Sequence, residues 1–167
     1  TDKLMSNRTL LVSVGLAFVG FIFRLAEVFF GAPDIAFYEY LLLVLIAIFF
    51  GLREIYQSEN TTEFKVLFKG AMKPAAIFVV LVGLFQFVYY TKINPGYFDE
   101  RIAERLAEAE ANNYSKEEII ALGKNLQQIF NASVISTFQL FALLFISLLY
   151  GAVSTYIFIK IKVFRTF

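Results

Sequence analysis

Residues 10–30 read LLVSVGLAFVGFIFRLAEVFF, residues 31–34 read GAPD, and residues 35–52 read IAFYEYLLLVLIAIFFGL. At 1.5 Å per residue, a run of about 21 residues crosses a hydrocarbon core of about 30 Å. The Gly-Ala-Pro-Asp break between the two runs is turn chemistry, so they are predicted to form a tight transmembrane hairpin. The first run is too long for the apolar part of a signal peptide, and no small-residue cleavage motif follows it, so it is expected to remain as a span. Helices are the expected form, because lipid offers no partner to an unpaired backbone N–H or C=O.

Working outward from this hairpin, two more runs of the same kind appear, at about 74–91 and 132–161. The chain is therefore expected to be an all-α membrane protein, one four-transmembrane-helix domain over 1–167. Composition agrees: 59% of residues are apolar and 17% charged, and the mean hydropathy is +0.67. A soluble domain of this size has too much surface to hide so much apolar area. The sequence has no Cys and no His, which removes the usual zinc sites, His-ligated haem, iron–sulfur clusters and the thiol or Ser-His-Asp nucleophiles. No metal, cofactor or catalytic residue is expected, and the chain is read as a non-enzyme. A net charge of +1 argues against nucleic acid as a partner. The bilayer and other membrane-protein subunits are the expected ones.

Between the second and third runs, residues 53–73 place Lys65, Lys69 and Lys73 at i, i+4, i+8 beside an apolar stripe of Phe64, Leu67, Phe68 and Met72. This is the pattern of a short surface helix offering lysines to anionic lipid, and equally of an N-terminal extension of the third span. Pro74 is read as the start of that span and Tyr89-Tyr90 as its aromatic belt. Residues 92–131 are the polar region. Asn94-Pro95 reads as a helix start, Phe98, Ile102 and Leu106 as one apolar stripe, and Asn112-Asn113 as a break. Ser115-Lys116-Glu117-Glu118 reads as a capping box, with Ile119, Leu122, Leu126 and Ile129 as the next stripe. An amphipathic helical hairpin follows. Its carboxylates interleave with Arg101, Arg105 and Lys116, which reads as a solvated, ion-paired face rather than a glycosidase-like acid pair.

Orientation follows the distribution of Lys and Arg. Lys3, Arg8, Arg53, Lys65, Lys69, Lys73, Lys160, Lys162 and Arg165 fall on one side, against Asp2, Glu54, Glu59 and Glu63. The hairpin carries five basic and seven acidic residues. Both termini are thus expected in the cytoplasm, with the hairpin outside.

The chain resembles a family of small four-span inner-membrane proteins of Bacteroidota known only as a domain of unknown function. The resemblance is carried by Gly51-Leu52-Arg53-Glu54, Phe64-Lys65 with Phe68-Lys69-Gly70, and Tyr89-Tyr90 with Asn94-Pro95-Gly96-Tyr97-Phe98. Ser115-Lys116-Glu117-Glu118-Ile119 and the last span with Gly151 complete it. It implies the same topology and a bacterial inner membrane, hence a periplasmic hairpin. In a bacterial host the sequons at Asn60, Asn113 and Asn131 carry no meaning. The resemblance implies no activity and no site residue.

Arg24 and Glu27 sit inside the first run at i, i+3. A charge at mid-bilayer costs about 2.5–3.5 kcal/mol on insertion scales, so such residues are functional candidates by default. Counting residues places Glu39, Gln86 and Gln139 of the other spans in the same outer half, which makes one polar cluster geometrically feasible. The plainer reading pairs Arg24 with Glu27 and uses the glutamines as interhelical hydrogen bonds worth about 0.6 kcal/mol each. An ion path is disfavoured, because the inner half offers only small hydroxyls such as Ser13, Ser147, Ser154 and Thr155. Small-residue spacings (Ser13/Ala17, Ser147/Gly151/Thr155) point to close helix approach. Lacking catalytic chemistry, the chain is read as an accessory or assembly subunit of a larger membrane complex. The alternative is a small transporter or lipid-handling protein using the outer polar cluster.

Overall fold

The computed structural model describes residues 7–30 and 35–161, all of them helix, turn or short connection. The GAPD turn and the basic residues Lys3, Lys162 and Arg165 lie outside the described residues. In chain order the helices are α1 (Asn7–Phe30), α2 (Ala36–Glu59), α3 (Phe64–Val88), α4 (Tyr97–Ala111), α5 (Lys116–Ile129) and α6 (Ala132–Lys160), with a π-helical turn, Tyr89–Ile93, ending α3. α1, α2, α6, and α3 with its π turn are each long and apolar enough to cross a membrane. The protein is an all-α membrane protein, with four such helices among the described residues.

The contacts divide the chain into two compact units. Among the described residues, one comprises 7–30, 35–82 and 140–161, the other 83–139. The first is a four-helix bundle around Ala17 of α1, Tyr40, Val44, Ile48 and Leu52 of α2, Leu67, Ala71, Phe78 and Val79 of α3, and Leu143 and Phe158 of α6. Exposed large apolar residues run along all four helices, among them Phe18, Leu42, Val80 and Phe145, as lipid-facing surfaces do.

α2 and α3 approach closely at two glycines. A Cβ on Gly51 would lie 2.6 Å from the Gly70 carbonyl oxygen and 2.7 Å from Pro74 Cγ, and one on Gly70 would lie 2.5 Å from Ile55 Cγ2. The cause is Pro74, which sits in the third turn of α3 and not at its start. Proline has no N–H, so the carbonyl four residues back, Gly70, loses its helical donor. That carbonyl turns to the side of α2 where Gly51 leaves room. Gly151 seats α6 on α3 in the same manner, with its missing Cβ 2.7 Å from Met72 Sδ and 3.2 Å from Phe68 Cε2. The two aromatic-glycine pairs, Phe50-Gly51 and Tyr150-Gly151, thus have one purpose: each lets a helix settle on α3. Ser13, Ala17, Ser147 and Thr155 are buried, so these small positions serve packing within the chain.

Residues 53–73 form no separate surface element. α2 continues to Glu59 and ends at Asn60 in the left-handed conformation (φ 46°). α3 begins at Phe64, so Lys65, Lys69 and Lys73 are exposed on its first three turns.

The second unit holds the end of α3, α4, α5 and the start of α6. Tyr89 and Tyr90 are buried at its centre instead of forming a lipid-facing belt: the Tyr90 ring lies tilted against Phe98 at 4.7 Å and against Tyr97 at 5.1 Å. The π turn rotates them there, with the Asn94 N–H donating to the Tyr89 carbonyl. Helix α4 starts two residues later than Pro95 suggests, capped by Gly96 and burying Phe98, Ile102 and Ala109. Asn113 adopts φ 60° after α4, a conformation asparagine tolerates at a helix end. The capping box forms as read, with Ser115 N–H on Glu118 Oε2 at 2.8 Å and Glu118 N–H on Ser115 Oγ at 3.3 Å. The hydrogen bonds that the Ser115 N–H and hydroxyl donate to the Glu118 carboxyl hold it below the usual glutamate range. Asn131 caps α6 by accepting from the Val134 N–H. The ion pairs Arg101–Glu104 and Arg105–Glu108 are exposed and spaced i, i+3.

Gly51→Ala is expected to lower the thermal unfolding midpoint of the detergent-solubilised protein, since overpacking at a rigid contact costs about 1–3 kcal/mol. Gly15→Ala, where a Cβ would meet nothing within 4 Å, leaves the midpoint unchanged. Equal midpoints for the two variants would remove the α2–α3 contact from this account.

Candidate intramembrane polar site

Arg24 and Glu27 lie on one face of α1, one turn apart. Both are buried, at 2% and 7% exposure, and the Arg24 Nη1–Glu27 Oε2 distance is 2.8 Å. The second carboxylate oxygen is also used: Glu27 Oε1 accepts from the Ile35 N–H at 2.8 Å. Ile35 is the N-cap residue of α2, so a carboxylate on α1 closes the first turn of the next helix. Helix N-termini leave N–H groups unsatisfied and carry positive partial charge, so an anion there satisfies a donor and complements the dipole. The ion pair thereby fastens the hairpin between α1 and α2 at the end where the chain reverses. This arrangement resembles a clasp more than an open ligand site.

Glu39, in the first turn of α2, is within electrostatic reach of both Glu27 and Arg24. Its Oε2 is buried and has no hydrogen-bond partner among the described residues. The structure therefore brings together three of the five residues that sequence reasoning grouped. Gln86 and Gln139 belong to the second unit. Gln86 is buried. Gln139 is half-buried, with Oε1 lacking a hydrogen-bond partner among the described residues, as does Ser136 Oγ one turn earlier on α6. Two of the small hydroxyls at the other end are satisfied within their own helices: Ser13 donates to Thr9 and Ser147 to Leu143, each one turn back. Among the described residues no group of acidic side chains has the arrangement of a metal site.

Sequence reasoning missed two polar features. The Ile35 N–H on Glu27 had no signal beyond the proximity of a carboxylate to a turn. At the opposite end of the bundle, Thr9 Oγ1 of α1 donates to Glu54 of α2. This contact borders a small recess lined also by Arg8, Arg53 and Gln57. Nothing in residue spacing links positions 9 and 54.

Removing one partner of a buried ion pair strands the other, at a cost of about 3–5 kcal/mol, whereas replacing both by apolar groups is often nearly neutral. Glu27→Ala is accordingly expected to be strongly destabilising in denaturant titrations of the detergent-solubilised protein. The double variant Arg24→Met/Glu27→Gln recovers most of the loss, because Gln can still accept from Ile35. A double variant no more stable than Glu27→Ala would refute the clasp.

No curated protein and no solved structure matches the chain. A family model does match over residues 9–160, from the start of α1 to the last residue of α6. With nearly all of the sequence covered, the chain belongs to the family described as protein of unknown function (DUF4199).

Proposed function

We propose that this protein is a non-catalytic accessory or assembly subunit of a larger complex in a bacterial inner membrane, with both termini cytoplasmic and the α4–α5 hairpin presented outside. The observation that carries this reading is the state of α5. It is a well-capped helix with an apolar stripe, yet none of its residues is buried. Ile120 and Ile129 are 62% and 54% exposed. The two stand nine residues apart, on opposite sides of the helix; large apolar side chains are kept out of water most readily by another surface, and the hairpin's surplus of acidic residues opposes anionic headgroups. A protein partner suits it better than the membrane plane. The clasp supports the same reading, because Glu27 has both oxygens engaged within the chain.

A second reading, a small transporter or lipid-handling protein, draws support from Glu39, whose buried oxygen lacks a partner among the described residues. It predicts that Glu39→Gln alters transport or lipid distribution in cells, and an unchanged phenotype removes it.

For the leading reading, a photo-crosslinking residue at Ile120 or Ile129 in native membranes is expected to capture one protein at constant stoichiometry, recovered through a tag on the C-terminus. A monomer that crosslinks only to lipid would overturn it. The chain has no native cysteine, so single cysteines report topology cleanly. Asn113→Cys should react with an impermeant reagent from outside, and Ser58→Cys only after lysis.

A further inference from the structure

At the end of the first unit opposite the Arg24–Glu27 clasp, the recess between α1 and α2 is walled by Arg8, Thr9, Phe50, Arg53, Glu54 and Gln57, closed off by Gly51 and Pro74. Its cavity of about 10 Å³ has room for one oxygen-sized group. Arg8, Phe50 and Gln57 are exposed at its mouth.

Arg53 stands six residues, about 9 Å, before the end of α2 at Glu59, in a helix apolar enough to cross a membrane. Its side chain is half-buried. Its Nε is buried with no hydrogen-bond partner among the described residues, and the guanidinium forms no ion pair among them. Neighbouring Glu54 is engaged elsewhere, accepting from the Thr9 hydroxyl. Arg24 is the contrast, since Glu27 on its own helix face meets its charge. A cation inside a span is costly until an opposite charge reaches it. Two arginines against one carboxylate leave this recess positive.

We infer that the recess binds the phosphodiester group of one phospholipid, with a phosphate oxygen entering it and Arg53 as the counter-ion. Guanidinium groups hold phosphate by charge-assisted hydrogen bonds, and basic pockets between transmembrane helices take lipid headgroups. The cavity fits one oxygen of the group, so the rest remains at the open mouth, where its ester substituents have room. The neighbouring surface chooses a lipid over a free phosphate. Phe49 and Phe50, immediately before Arg53, are each 37% exposed, and Leu11, next along α1 from the Arg8–Thr9 wall, is 69% exposed. Acyl chains cover such apolar surface, whereas a free phosphate leaves it bare. Lys65, Lys69 and Lys73 line no part of the recess, and their pull on anionic headgroups is diffuse.

The test is native mass spectrometry of the delipidated full chain, titrated with phosphatidylglycerol or with diacylglycerol of the same acyl composition, which lacks the phosphate. The wild type is expected to retain one phosphatidylglycerol at about ten-fold lower concentration than diacylglycerol. Arg53→Gln brings the two lipids level. Gln57→Glu, a nearly isosteric change at an exposed position, adds a negative charge to the mouth and weakens phosphatidylglycerol retention about five-fold, with diacylglycerol unaffected. Neutralising Lys65, Lys69 and Lys73 leaves the single tight lipid in place. Equal retention of the two lipids by the wild type, or an undiminished preference in Arg53→Gln or Gln57→Glu, overturns the proposal and leaves the recess to water. So does displacement of the lipid by millimolar inorganic phosphate, which would make the site one for free phosphate. Gln57→Glu keeps the test available even if Arg53→Gln fails to fold.

Discussion

The contact between Gly51 of α2 and the Gly70 carbonyl of α3 governs how the four-helix unit is put together. Lipid supplies no hydrophobic force to drive one apolar helix onto another, so association depends on close packing and on polar groups finding partners. Pro74 creates the polar group, by depriving Gly70 of its donor, and Gly51 creates the space. Any Cβ at position 51 would push α2 off α3, and the consequences would spread. Val44, Ile48 and Leu52 bury their side chains on the same helix, and α6 reaches α3 through Gly151. α2 thus acts as the organising helix: it contacts α1 at Tyr40 beneath Gly20, α3 at Gly51 and α6 at Tyr56.

Charges inside the bundle obey the same need for partners. Arg24 and Glu27 would each be costly in hydrocarbon, and together they remain costly unless the other lone pairs of the carboxylate are used. Glu27 resolves this by taking the N–H of Ile35, a donor that the start of α2 leaves over in any case. One carboxylate therefore neutralises an arginine, caps a helix and fixes a hairpin. Thr9 and Glu54 make the comparable link between α1 and α2 at the opposite end. The hairpin is tied at both ends by hydrogen bonds and filled between them by apolar contacts.

Much of this was legible in the sequence, and the division follows a physical line. Hydropathy, breakers and caps are local properties, so four spans, the Asn112-Asn113 break and the Ser115–Glu118 box could be read from neighbouring residues. The rotation of each span about its axis could not. Helix α6 is apolar around most of its circumference, so periodicity carries little information about which face is inward. That is why Tyr89 and Tyr90 read as a belt yet form a core, and why nothing pointed to Gly51 meeting Gly70. Of the five grouped polar residues, Arg24 and Glu27 were legible as a pair through helical spacing. Adding Gln86 and Gln139 rested on depth alone, which says nothing of direction. Pro74 was misplaced because proline is cheapest at a helix start, and here its missing N–H is put to use in the interior.

The hairpin of the second unit presents the converse problem, a helix with too little to bury. At 14 residues, α5 is at the length where an isolated helix is marginal in water. Its capping box and its tether to α6 through Asn131 restrain the ends, and Gly123 lies only in ordinary contact with Leu106 of α4. Packing contributes little at Ile120 and Ile129, which are exposed on opposite sides of the helix. Capping of this quality maintains a helix that has no buried residue, and the ion pairs of α4 are solvated. A helix held in form by its ends gains stability from whatever covers its exposed isoleucines, so the proposed association would also stabilise α5.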